Sequence, residues 1–89
     1  MKIEAVFFAQ LREMVGARQK FIELVDGARV KDLVDLIVRE HGESFRNELN
    51  NLEGTRIMVG DREYFPDEVM ETPLKEGDSV IFLPPIFGG

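Results

Sequence analysis

From Lys2 to Phe8 the chain alternates, with Ile3, Ala5 and Phe7 on one side and Lys2, Glu4, Val6 and Phe8 on the other. A period of two predicts a strand. Its end is apolar on both sides, which predicts cover on both faces there. Ala9 to Val15 has room for one or two helical turns before Gly16 breaks them. Gln19 to Val25, apolar at Phe21, Ile22, Leu24 and Val25, predicts a second strand closed by an Asp26-Gly27 turn. Val30, Leu33, Val34, Ile37, Val38 and His41 then recur at helical spacing, opposite Lys31, Asp32, Asp35, Arg39 and Glu40. Gly42 supplies a stop. The start has no standard cap, because neither Ala28 nor Arg29 is favoured at that position and Asp26 lies early.

Glu43 to Asn51 is polar and reads as a second short helix or an irregular stretch. Thr55 to Val59 and Glu63 to Phe65 flank Gly60-Asp61-Arg62 as a hairpin. Pro66 to Met70 reads as a loop, and Leu74 to Asp78 as a turn around Gly77. Ser79 to Leu83 is the final strand, with an apolar run that again predicts burial on both faces. Two opening strands form a hairpin, and the long helix must bury its stripe against one sheet face. The helix also carries the chain across, so the last strand lies parallel to the first at the sheet centre. The expected class is α+β, a β-grasp of four to five strands in a mixed sheet with one main helix on one face. Residues 1–89 are expected to form one domain, with a flexible tail over 84–89.

Composition narrows the chemistry. Eighty-nine residues suffice for one domain, and 44% are apolar, including seven Phe. The absence of cysteine removes disulfides, thiolate nucleophiles, iron–sulfur clusters and Cys-based zinc sites, and a single His removes a His cluster. No metal site is therefore expected. No signal peptide or membrane span is apparent, so a cytoplasmic location is expected. The net charge of −6 disfavours a phosphate backbone as partner and suits a basic protein better.

The chain's end is the most distinctive stretch. Pro84-Pro85 stops the sheet ladder and favours a stiff, extended exit. Ile86, Phe87, Gly88 and Gly89 then reach about 13 Å from the second proline. A terminal carboxylate must be activated before it undergoes acyl chemistry, most simply as an anhydride with AMP. Gly89 leaves its carbonyl uncrowded, and Gly88 lets the backbone thread a narrow channel. Ile86 and Phe87 offer apolar anchors, each worth roughly 1.5–3 kcal/mol if fully buried.

With these residues in view, the chain resembles the MoaD/ThiS family of ubiquitin-like sulfur carriers, and within it the small subunits of molybdopterin synthase. The resemblance rests on Val6-Phe7-Phe8-Ala9-Gln10-Leu11-Arg12-Glu13, on Val30-Lys31-Asp32-Leu33 and on Pro73 to Pro85. It implies that an adenylyltransferase resembling ubiquitin-activating enzymes uses ATP to adenylate Gly89, and that a sulfur donor protein converts the adenylate to a thiocarboxylate. It further implies that Gly88 and Gly89 then enter the synthase large subunit, where the sulfur passes to a pterin precursor of the molybdenum cofactor. No stably bound cofactor is implied. Phe87 departs from the family, which commonly has small or polar residues there. By their spacing Phe7, Phe8 and Phe82 read as core residues. The resemblance instead implies that Phe7 and the last strand, including Phe82, join Pro84, Pro85, Ile86 and Phe87 in binding partners. His41 reads as packing or a helix-end cation. With no internal catalytic pair, the chain is not expected to be an enzyme by itself. Three alternatives stay open: a carrier for thiazole, tRNA thiolation or another sulfur pathway, a protein modifier conjugated through Gly89, and a β-grasp interaction module with an idle tail.

Overall fold

The computed structural model describes residues 1–51 and 54–84. In chain order these form β1 (Lys2–Phe7), α1 (Ala9–Val15), β2 (Gln19–Glu23), α2 (Val30–His41), α3 (Glu43–Asn51), β3 (Arg56–Val59), β4 (Arg62–Tyr64), α4 (Pro66–Val69) and β5 (Ser79–Leu83). The sheet runs β2-β1-β5-β3-β4. Its central pair, β1 and β5, is parallel, and every other neighbouring pair is antiparallel. This is the five-stranded mixed sheet of a β-grasp, with helices against one face. Among the described residues no helix is long and apolar enough to cross a membrane.

The alternation in β1 becomes a division of faces. Ile3, Ala5 and Phe7 from β1, Ile57 from β3, and Val80 and Phe82 from β5 point into the core. The α2 stripe of Val30, Leu33, Val34, Ile37 and Val38 closes over them. Three aromatic rings bind this core together. Phe7 and Phe82, register partners across the central pair, stack with centroids 5.3 Å apart. Phe45 from α3 meets both edge-on, at 6.0 Å and 5.6 Å. Such pairs add roughly 0.5–1.5 kcal/mol each beyond the burial itself. The Glu43–Asn51 stretch is thus a helix because Phe45 and Leu49, at i and i+4, give it one buried side.

The missing cap of α2 is supplied from far along the chain. Arg29 N–H donates to Asp32 Oδ2 at 2.8 Å, while Val30 and Lys31 N–H donate to the carbonyls of Thr72 and Met70, both at 3.0 Å. The orphan donors of the first turn are satisfied by a loop some forty residues away. Glu71 in that loop accepts from Lys31 and Arg29, whose hydrogen bonds lower the pKa of its carboxyl.

Three boundaries differ from the expectations. β2 ends at Glu23, Leu24 still exchanges two hydrogen bonds with Met1, and Val25 beyond them is exposed. The hairpin closes through a two-residue turn, Gly60-Asp61, so β4 begins at Arg62. Gly60 has φ of 64°, the conformation a tight hairpin turn asks of its first residue. Pro66–Val69 is a helical turn rather than a loop. Pro66 opens it with φ already set, and the Glu68 carboxylate accepts from Phe65 N–H at 2.7 Å.

Phe45→Ala is expected to cost about 3–5 kcal/mol in urea denaturation, as deletion of a buried ring does. A loss under about 1 kcal/mol, the range of surface substitutions, would show that α3 is peripheral to the fold.

Candidate functional site at the root of the tail

β1 and β5 run parallel, so both finish at the same end of the molecule. β3 runs against β5, and Arg56 at its start pairs with Leu83 at the end of β5. The chain entering β2 at Arg18-Gln19 and the chain leaving β4 at Tyr64-Phe65 reach the same end. Pro84 emerges amid this cluster. Pro85, Ile86, Phe87, Gly88 and Gly89 lie outside the described residues.

Among the described residues no helix covers the other sheet face, and register sorts it into rows. Glu4 and Ser79 stand side by side far from the tail, where Ser79 Oγ donates to Glu4 Oε1 at 2.6 Å and Gln19 Nε2 donates to Glu4 Oε2 at 3.1 Å. The next row reads Gln19, Val6, Ile81, Met58, Glu63, with three apolar side chains at its centre. Nearest the tail lie Leu83 and Arg56, with Phe8 beyond the last paired position of β1 and 42% exposed. Val6, Ile81, Met58 and Leu83 are all half-buried. The face is therefore polar at Glu4 and Ser79 and apolar toward the tail, while on β2 the exposed Phe21 stands beside Glu4 in the far row.

The resemblance-based assignment of Phe7 and Phe82 to a contact surface is corrected here. They are 1% and 0% exposed and lie beneath the sheet in the aromatic core. A side chain on the inward side of a strand cannot also face a partner. Their outward neighbours Val6, Phe8, Ile81 and Leu83 hold the exposed surface, together with Met58 across the register. The signal was present in the sequence: Val80-Ile81-Phe82-Leu83 must place alternate residues on opposite faces, but nothing in that run tells which face lacks a cover.

Beside the tail root, the Arg56 guanidinium lies 3.9 Å from the Phe65 ring centroid and donates to the Thr55 carbonyl at 3.1 Å. Stacking of this kind holds a flexible cation in one place. Gly54, Arg56, Glu63, Leu83 and Pro84 surround a cleft of about 360 Å³. The site thus offers an apolar platform, a fixed cation and a chain exit at one edge, which suits docking and presentation of the tail.

The model of the ThiS family matches residues 5–89. The molybdopterin synthase sulfur carrier subunit of Chlamydomonas reinhardtii is 34% identical over 89 residues, covering the whole of both chains. A Pyrococcus furiosus protein described as subunit 1 of a molybdopterin converting factor superposes with a TM-score of 0.77 at 32% identity, over 97% of this chain and 99% of that one. A Helicobacter pylori complex of subunits 1 and 2 of molybdopterin-converting factor matches with a TM-score of 0.66 at 26% identity, over the full length of both chains.

The two faces of β5 should separate in denaturation. Ile81→Ser and Leu83→Ser are expected to cost about 1 kcal/mol each or less, while Phe82→Ala costs roughly 3–5 kcal/mol. Equal costs at Ile81 and Phe82 would contradict an open face.

Proposed function

The chain belongs to the ThiS family, and on that premise we propose that it is the sulfur-carrier subunit of a molybdopterin synthase. The observation that carries this reading is the junction of tail and platform: β5 delivers Pro84 at the apolar end of a sheet face that no described helix covers, three residues short of the Gly88-Gly89 pair. Full-length similarity to a named sulfur carrier, and to one subunit of a two-subunit converting factor, supports it.

In this reading an adenylyltransferase first binds the open face. Val6, Ile81, Met58 and Leu83 bury apolar surface against it, and Pro84-Pro85 aim the tail into its active site. The Gly89 carboxylate attacks the α-phosphorus of ATP, releasing pyrophosphate and forming an acyl adenylate. A persulfide sulfur from the donor protein then attacks the Gly89 carbonyl and displaces AMP. Reductive cleavage of the resulting acyl disulfide by a thiol leaves the thiocarboxylate. The loaded tail enters the large subunit, where the thiocarboxylate sulfur bonds to a carbon of the pterin precursor and water then cleaves the acyl–sulfur bond, leaving sulfur on the pterin and restoring the Gly89 carboxylate. Gly88 and Gly89 supply passage and an unhindered carbonyl, while Ile86 and Phe87 seat the tail in the channel. The reacting side chains belong to the partners, and the body of this chain sets where the tail starts.

The test is intact-mass spectrometry after incubation with the cognate activating enzyme, ATP and a sulfur source. The expected result is a gain equal to exchange of one oxygen for sulfur, located at Gly89 and absent from a chain lacking Gly88-Gly89. An unchanged mass in the presence of a competent activating enzyme would overturn the proposal. Gly89-dependent conjugates on lysines of other proteins, without sulfur transfer to the pterin, would assign the chain to protein modification instead.

A further inference from the structure

A second feature lies beside the tail root, on the β1–β2 side. Val6, Phe7, Phe8, Arg12, Arg18 and Gln19 surround a cleft of about 340 Å³ between the end of β1, the start of α1 and the approach to β2. Backbone hydrogen bonds fix the main chain from which both arginines project. Phe7 N–H donates to the Arg18 carbonyl at 2.8 Å, tying the approach to β2 against the end of β1. Arg12 sits one turn into α1, whose end is fixed by Gly16 N–H donating to the Arg12 carbonyl at 2.8 Å.

The chain carries seventeen acidic residues against eleven basic ones, so carboxylates are abundant. Lys20, Arg29, Lys31 and Arg46 each have one in ion-pair contact. Among the described residues, Arg12 and Arg18 have none. Lys2, Arg39, Arg56, Arg62 and Lys75 also have none among the described residues, but Arg12 and Arg18 are the two that line one cleft together with the apolar side chains of Val6, Phe7 and Phe8.

We infer that this cleft receives an acidic side chain, flanked by an apolar one, from the protein that takes the tail. The inference rests on the docking reading above, since Val6 and Phe8 belong both to the cleft and to the open face. The carboxylate accepts from one or both guanidinium forks, and its apolar neighbour packs on Phe8 and Val6. Guanidinium matches carboxylate in planar, two-pronged geometry. The apolar walls keep water back and strengthen the pair. The chain's overall negative field then favours approach by a basic partner, whereas this corner selects an acid within the contact. The two together fix orientation, because an inverted dock sets that acid against the Glu4 row.

The experiment is calorimetric titration of the full chain into the synthase large subunit at low and moderate salt. It compares wild type, Arg12→Glu with Arg18→Glu, and the control Arg39→Glu with Lys75→Glu, which changes net charge equally at exposed positions away from the cleft. Circular dichroism checks folding, and Arg12→Gln with Arg18→Gln replaces the first variant if it does not fold. The expected result is roughly tenfold weaker binding and a flatter salt dependence for the Arg12/Arg18 variant, with the control within about twofold of wild type. Wild-type affinity in the Arg12/Arg18 variant overturns the inference while leaving the docking reading intact. Equal weakening in the control also overturns it, by assigning the effect to the field of the whole chain. Failure of wild type to bind refutes the docking reading, and the inference with it.

Discussion

The parallel pairing of β1 with β5 is the constraint on which the rest of the molecule depends. It joins the two ends of the sequence, and Phe7 stacks on Phe82 across it. Parallel neighbours need a long crossover, and everything from β2 to α4 serves as that crossover. The pairing also decides where the tail begins. Because both strands finish together, the chain leaves beside Phe8 and α1 instead of at a free edge. Phe45 holds the stacked pair from the helical side, so the origin of the tail is buttressed by the most tightly buried rings among the described residues.

One face of β5 therefore stabilises and the other serves contact. Val80 and Phe82 contribute to the core, while Ile81 and Leu83 stand half-exposed beside Val6 and Met58. An uncovered apolar strip costs solubility and offers little stability in return, which is why such strips mark partner surfaces. Glu4 and Ser79 border the strip on β1 and β5 on the side away from the tail, and Gln19 flanks it on β2. Arg56 stacked on Phe65 adds a fixed cation at the β3 side of the same end. A tail of a few residues has little means of selecting a partner by itself, and in the proposed function the platform beside it supplies that selection.

Much of this was legible in the sequence, for identifiable reasons. Period-two runs in β1 and β5 and the helical stripe of α2 are long enough to define their elements, and their order leaves few topologies. The resemblance near both chain ends gave the same fold and family. What was hidden was non-local. The cap of α2 comes from the Met70 and Thr72 carbonyls, so no inspection of Ala28 or Arg29 reveals it. Phe45 and Leu49 lie in a polar stretch, where two apolar residues give no lasting period. The side of β5 left open depends on the helices covering one sheet face only, which moved the contact surface from Phe7 and Phe82 to the residues beside them. The roles of Gly88 and Gly89 rest on their chemistry and on kinship.

The central claim is that the open face around the tail root is where a partner docks. Backbone amide chemical shifts followed by NMR, as the large subunit is added to isotope-labelled chain, test it most directly. The account predicts that the amides of Val6, Phe8, Arg56, Met58, Ile81 and Leu83 shift or broaden first, while those of Lys31, Asp35 and Arg39 on the outer side of α2 stay in place. Perturbations concentrated on α2, with the β1–β5–β3 rows unchanged, would contradict it.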